Sequence, residues 1–266
     1  MHSNNLPSVK FFLKLIVAAC LLAVLAFSAG QHRKPVLYII GDSTVKNGDG
    51  SGRNGQWGWG TLIDQYFDTN KISIQNHAIG GRSSRTFITE KRWERILTDL
   101  KAGDYVLIQF GHNDGGPLDD TARARGTIKG IGNDSIEIYN PIRKQKEMVY
   151  SYGKYMRTYL NDIKNAAAIA VICSPVPRNN KKDGKIPVDN YAEWSEAIAK
   201  ESRSSFIPLN RMMGDKYNKM DSGALNKLFY GDHTHTSKEG AILNAEMVVK
   251  GIKNLRKNEL KKYLKQ

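Results

Sequence analysis

Short apolar runs that stop at glycine or proline, each followed by a polar cluster and then helical periodicity, constrain this chain more than any other feature. Val36-Leu37-Tyr38-Ile39-Ile40 ends at Gly41. Residues 72–76 are a second strand candidate, Tyr105-Val106-Leu107-Ile108-Gln109-Phe110 ends at Gly111, and Ile169-Ala170-Val171-Ile172-Cys173 is stopped by Pro175 and Pro177. A continuous apolar run of this length has no polar face to leave in water, so it predicts a strand covered on both sides. Residues 205–209 are a weaker fifth candidate, because Pro208 suits a strand end or an edge. Helical spacing fills the intervals at 62–67, 85–100, 152–168, 191–202 and 237–255. Strands that alternate with helices predict a parallel sheet with helices on both faces. No long linker, repeat or low-complexity run divides residues 29–266, which predicts one domain. The pattern breaks between 115 and 150. There Ile136-Glu137-Ile138-Tyr139 and Glu147-Met148-Val149-Tyr150 flank Asn140-Pro141, as expected of a hairpin flap inserted after the third strand.

The first residues read differently. Lys10 precedes an apolar run over 11–29, interrupted by Lys14 and Ser28 and ending in Ala26-Phe27-Ser28. A positive start, an apolar middle and a small-residue end predict a secretory signal over 1–28. Two other readings stay open: Val17-Ala18-Ala19-Cys20 resembles a lipoprotein cleavage box, and the run is nearly long enough for an uncleaved anchor. Each puts the domain outside the cytoplasm, secreted, periplasmic or held at the membrane by the leader. Two cysteines, Cys20 and Cys173, exclude a disulfide scaffold and a cysteine-rich zinc module. The net charge of +14 admits a polyanionic partner. The tail at 250–266 has seven basic residues against Glu259, spaced with Ile252, Leu255, Leu260 and Leu264 as on a helix with one apolar stripe. The leader and the lack of any RNA-binding or zinc-finger pattern argue against nucleic acid.

In open α/β sheets, ligands bind beyond the carboxyl ends of the strands. The polar clusters sit there: Gly41-Asp42-Ser43-Thr44, Gly80-Gly81-Arg82-Ser83 and Gly111-His112-Asn113-Asp114. A fourth, Asp232-His233-Thr234-His235, precedes the last helix. A hydroxyl nucleophile needs a base in hydrogen-bond reach, and the base needs an orienting partner. On one turn Asp232 can hold the imidazole of His235 and leave its other nitrogen free for the proton of Ser43. Acyl transfer also needs donors aimed at the developing oxyanion, for which the amides of Ser43 and Gly81 and the side-chain amide of Asn113 are candidates.

These blocks resemble the SGNH (GDSL-type) hydrolases. Joined by Gln56-Trp57-Gly58-Trp59-Gly60, Asn76-His77-Ala78-Ile79-Gly80-Gly81-Arg82-Ser83-Ser84 and Phe110-Gly111-His112-Asn113-Asp114, they are similar to the rhamnogalacturonan acetylesterases. The resemblance spans 36 to about 255. It implies a three-layer α/β/α fold, flavodoxin-like, with a five-stranded parallel sheet. It implies a serine esterase without metal or cofactor that removes acetyl groups from an acetylated acidic polysaccharide, pectin, and rhamnogalacturonan in particular. Ser43 would be the nucleophile, His235 the base and Asp232 its orienting partner, with Ser43, Gly81 and Asn113 forming the oxyanion hole. The same scaffold also serves esterases of xylan, lipids or thioesters, and a non-catalytic carbohydrate-binding protein is a reading of another class.

Other motifs carry less. Gly50-Ser51-Gly52-Arg53-Asn54-Gly55 matches a dinucleotide fingerprint but follows no strand and opens no helix. Gly81-Arg82-Ser83-Ser84-Arg85 lacks the second glycine of a nucleophile elbow, which leaves Ser83 as a turn or helix cap. Asp232, His233 and His235 are a possible metal set only if the fold brings His112 and Asp114 close. Trp57 and Trp59 either stack on sugar rings or pack their loop onto the domain. Arg82, Arg123 and Arg125 are candidates to pair with a sugar carboxylate, of which Arg82, beside the oxyanion glycine, has the best claim, while exposed charge is the favoured reading of Arg123 and Arg125. His112 is a further substrate-binding candidate.

Overall fold

The computed structural model describes residues 33–266, and Pro35–Gln266 forms one compact unit. The leader at 1–28, with Cys20 and Ser28, lies outside the described residues. Five strands form the parallel sheet: β1 (Val36–Gly41), β2 (Ser73–Asn76), β3 (Tyr105–Gln109), β6 (Ile169–Cys173) and β7 (Ser205–Ile207), in the order β2-β1-β3-β6-β7. Ile39 lies between Asn76 of β2 and Leu107 of β3, and Val171 joins Leu107 to Ser205. The order reverses beside β1, where the chain winds first outward to β2 and then back past β1 to β3. That switch point opens a crevice at the carboxyl ends of β1 and β3.

Alternation along the strands divides the core. Leu37, Ile39, Leu107, Val171 and Ile207 face one side, where they pack against α5 (Leu209–Tyr217), α7 (Lys238–Asn254), Trp59 and Phe67. Tyr38, Ile40, Val106, Ile108 and Ile172 face the other, against α1 (Ser84–Thr89), α2 (Arg92–Asp99), α3 (Tyr152–Asn165) and α4 (Asn190–Ser202). Strands β1 and β3, buried on both faces, read as continuous apolar runs, whereas the edge strand β2 is partly exposed and carries Ser73, Gln75 and Asn76.

Several elements depart from the sequence-based expectation. The helix expected over 85–100 is two helices broken at Glu90 and Lys91, with Lys91 left-handed at φ 58°. The turn re-aims α2 so that Trp93 packs edge-on to Tyr159 and donates from its indole to Asp162 at 2.9 Å. The segment 62–67 is a single 3-10 turn, Ile63–Tyr66. Helix α5 and the short α6 (Ser222–Asn226) were not expected. Gly214 and Asn210 weaken the helical signal of α5, and tertiary burial of Leu209, Met213 and Tyr217 overrides it. The basic tail is not a continuous helix. Helix α7 ends at Asn254, a 3-10 turn covers Glu259–Tyr263, and Leu260 and Leu264 are buried in the core beside Phe67.

The flap is the expected hairpin, β4 (Ser135–Asn140) paired antiparallel with β5 (Gln145–Tyr150). Buried Arg85 pins it to the domain. Its Nε donates to Glu147 Oε1 at 2.8 Å, and one terminal nitrogen donates to the carbonyls of Leu118 and Gly126. Among the described residues no helix is long and apolar enough to cross a membrane.

Candidate active site

Ser43 stands on the turn that leaves β1. Gly41 permits that turn, since a Cβ there would lie 2.6 Å from the carbonyl oxygen of Gln109 and from Val45. Asp42 shapes it: Oδ1 accepts from the amide of Thr44 at 2.9 Å and from its hydroxyl at 2.8 Å, while the Asp42 carbonyl accepts from the amides of Val45 and Lys46. A relay braces the turn from beneath. The buried indole of Trp59 donates to Gln109 Oε1 at 3.0 Å, and Gln109 Nε2 donates to Thr44 Oγ1 at 2.7 Å.

His235 reaches the serine from the loop before α7. Its Nε2 is 2.9 Å from Ser43 Oγ, and its Nδ1 is 2.7 Å from Asp232 Oδ2. The other oxygen of Asp232 accepts from the amides of Thr234 and His235, each at 2.7 Å. Partial burial pushes this carboxyl up, but the ring of His235 and those two amides outweigh burial and hold it at about 2. Asp232 is therefore an anion that orders both the loop and the ring. With the ring proton on Nδ1, Nε2 is left as the acceptor for the Ser43 hydroxyl.

Gly81 follows β2 with φ 78°, a left-handed conformation that favours glycine. Ser83 then caps α1, with a reciprocal capping box to Thr86. Asn113 follows β3, buried, and one side-chain N–H donates to the carbonyl of Arg82 at 2.8 Å, which leaves its second N–H free. Ser43, Gly81, Asn113 and His235 line one cavity of about 680 Å³, together with Gly80, Arg82, Thr86, Glu90, His112, Ala122, Arg123, Arg125, Ile142, Arg178 and Thr234. Asp232 stands behind His235, outside the lining. Ala122 and Ile142 are the apolar side chains on this wall. Ile142 comes from the hairpin turn, so the insertion after β3 shapes the site as expected of loops in that position.

The substrate-binding candidates divide. His112 and Arg82 line the cavity. Both ring nitrogens of His112 are buried without a hydrogen-bond partner, as is Oδ2 of Asp42, and burial holds His112 below the usual histidine range, in its neutral form. Trp59 does not belong to the binding surface: it is fully buried, with its indole spent on Gln109. Trp57 does not line the cavity either. Its ring packs over Gly52 and lies 5.4 Å from the Lys238 ammonium, while its backbone pairs with Thr236 beside His235. Both tryptophans support the loops that carry Ser43 and His235. Arg123 is exposed, as expected, and Arg125 is half-buried, and both stand on the cavity wall. Arg178 was missed. It follows β6 as the other clusters follow β1 and β3, so the strand-end rule would have found it. Asp114 is held by the amide and hydroxyl of Ser84 at the start of α1, away from His235. Among the described residues no cluster of three or more His, Cys, Asp or Glu side chains could hold a metal ion.

Residues 39–241 match the GDSL-like lipase/acylhydrolase family. The chain is 29% identical over 219 residues to a rhamnogalacturonan acetylesterase of Emericella nidulans, covering 81% of this chain and 84% of that one. It is 26% identical over 228 residues to a Bacillus subtilis protein named probable rhamnogalacturonan acetylesterase YesY, covering 82% of this chain and 93% of that one. Among solved structures, YxiM of Bacillus subtilis aligns with a TM-score of 0.66 at 25% identity over 83% of this chain. The match spans 56% of that longer chain.

Proposed function

The chain belongs to the GDSL-like lipase/acylhydrolase family, and on that premise we propose that it is an extracytoplasmic serine acetylesterase of pectin, acting on acetylated rhamnogalacturonan. It is a carboxylic ester hydrolase. The observation that carries the serine mechanism is the pair of contacts at His235, 2.9 Å to Ser43 Oγ and 2.7 Å to Asp232. Ser43 Oγ attacks the acetyl carbonyl carbon while its proton passes to His235 Nε2. The carbonyl oxygen becomes an oxyanion, held by the amides of Ser43 and Gly81 and the free side-chain N–H of Asn113. Collapse of the intermediate breaks the bond to the sugar oxygen, which leaves with the proton from His235. Water then gives its proton to His235 and attacks the acetyl-enzyme, and acetate departs as Ser43 recovers its hydrogen. Asp232 stabilises the imidazolium at each stage and does not itself take the proton.

The substrate reading draws on the two relatives named as rhamnogalacturonan acetylesterases and on a cavity wall with one carboxylate, Glu90, among four arginines. So polar a wall gives a long acyl chain little to bind. The extracytoplasmic reading draws on the leader pattern at 1–28.

The test is acetate release from acetylated rhamnogalacturonan by the protein without residues 1–28, with a chelator present. Release is expected to survive the chelator and to fall by more than about a thousandfold in Ser43→Ala. Release lost to the chelator would overturn the serine mechanism. Release from acetylated xylan with none from rhamnogalacturonan would overturn the substrate.

A further inference from the structure

Four guanidinium groups line the cavity, and they differ in what neutralises them. Arg82 pairs with Glu90 at 3.0 Å and donates to the carbonyl of Gly80. Arg178 donates to Thr234 Oγ1 and to the carbonyl of His112, and lies 3.7 Å from Asp189. Glu90, the one carboxylate on the wall, is shared between Arg82 and Arg92. Arg123 and Arg125 make no ion pair among the described residues. Arg125 donates to the carbonyl of Gly81 at 3.2 Å. Both reach the oxyanion glycine: a Cβ on Gly81 would lie 3.5 Å from Arg125 Nη1 and 3.7 Å from Arg123 Nη1.

Two neighbouring cations with no carboxylate in ion-pair contact repel each other, and the fold nevertheless holds them there, with Asp120, Asp42 and Asp114 acting on Arg125 only from beyond contact. Asp120 Oδ1 accepts from the amides of Ala122, Arg123 and Ala124 and so folds the turn that presents them, while its charge reaches Arg125 without an ion-pair contact. Ala124 is left-handed at φ 40°. Buried Arg85 ties both ends of the same loop down through the carbonyls of Leu118 and Gly126. Burial and then the adjacent charge of Arg123 lower the pKa of Arg125 more than Asp120, Asp42 and Asp114 raise it, and a bound anion would relieve the remainder. The planar fork of arginine matches a carboxylate, which can accept from two such groups at once.

We propose that Arg123 and Arg125 form a carboxylate subsite beside the oxyanion glycine, and that it selects substrates with a uronate on the acetylated sugar or its immediate neighbour. The subsite rests on the pectin acetylesterase reading above and makes Arg123 the residue that decides between acidic and neutral substrates. Arg123 is exposed, so its replacement leaves the core intact.

The experiment compares kcat/KM for acetate release from acetylated rhamnogalacturonan oligosaccharides with that from the same oligosaccharides after reduction of their carboxylates to alcohols. The ratio of the two is the readout, and it cancels any general loss of activity in a variant. The wild type is expected to prefer the acidic form about tenfold or more, the order of one charged hydrogen bond, with the difference in KM. Arg123→Gln is expected to bring the ratio within about twofold, and Arg123→Lys to restore part of it. Salt should raise KM for the acidic form and leave the reduced form unaffected. A preference that survives Arg123→Gln, or no preference in the wild type, overturns the subsite and leaves the pectin reading standing. Acetate release from acetylated xylan with none from either rhamnogalacturonan form overturns the substrate reading and the subsite with it.

Discussion

Asp232 does three jobs with two oxygens: it takes the amides of Thr234 and His235 on one and the ring of His235 on the other. Asn in its place would offer an N–H where an acceptor is needed and favour the wrong tautomer of His235. Asp232→Asn is therefore expected to lower kcat for acetate release by about ten-thousandfold with little change in KM, as in a serine triad whose orienting carboxylate is lost. A change confined to KM would remove Asp232 from the orienting role. This part of the site was legible because the Asp232 to His235 spacing is local and closes on one turn. For Trp59 and Arg123 the sequence names the alternatives and does not decide between them. An aromatic on a loop stacks on sugar or fills a core according to what covers it, and Trp59 is covered by Gln109, fifty positions away. Arg123 lies among charged residues that look like any solvated stretch, until the turn built on Asp120 aims it at Gly81.

At the scale of elements, α1 joins the site to the flap. Its amino end follows Gly81, its first turn is held by Asp114, and its second residue, Arg85, reaches into the loop at 118–126 and to Glu147 of β5. Arg85 is fully buried and would be stranded without Glu147, whereas Glu147, 6% exposed, would keep Asn140 and, at 3.5 Å, Arg143. Glu147→Met is expected to destabilise the domain by about 3–5 kcal/mol, read as a fall in the thermal midpoint, and Arg85→Met in that background to recover much of the loss. Failure of the second change to recover stability would mean that the carbonyls of Leu118 and Gly126, and not Glu147, need the guanidinium. The hairpin itself was legible from its alternating residues and the Asn140-Pro141 turn. The break in the helix over 85–100 was not, because Lys91 adopts its left-handed turn to satisfy the packing of Trp93 against Tyr159, which no local pattern encodes.

Over the whole molecule, stability should respond to pH through carboxyls of opposite sign. Burial pushes Asp114 up to about 7, against hydrogen bonds from Ser84 that favour its anion. The folded state thus holds a proton that the unfolded chain releases above 3.8, and this contribution is full below 3.8 and is lost as pH rises to about 7. Asp232 works the other way, and its contribution is lost as pH falls from 3.8 to about 2. Thermal midpoints measured between pH 4 and 7 should decline with a component that Asp114→Asn abolishes, whereas an unchanged slope in that variant would mean the Asp114 anion is fully satisfied in place. The sequence by itself determined the parallel sheet and the gathering of Ser43, Gly81, Asn113 and His235. Apolar runs of strand length must be covered on both faces, and parallel strands deliver their following loops to a single edge. Tertiary structure alone decided which side chains face that edge. It drew Trp59 inward and brought Arg123 and Arg125 to Gly81, because the burial of a loop residue depends on partners distant in the chain, and no local periodicity records them.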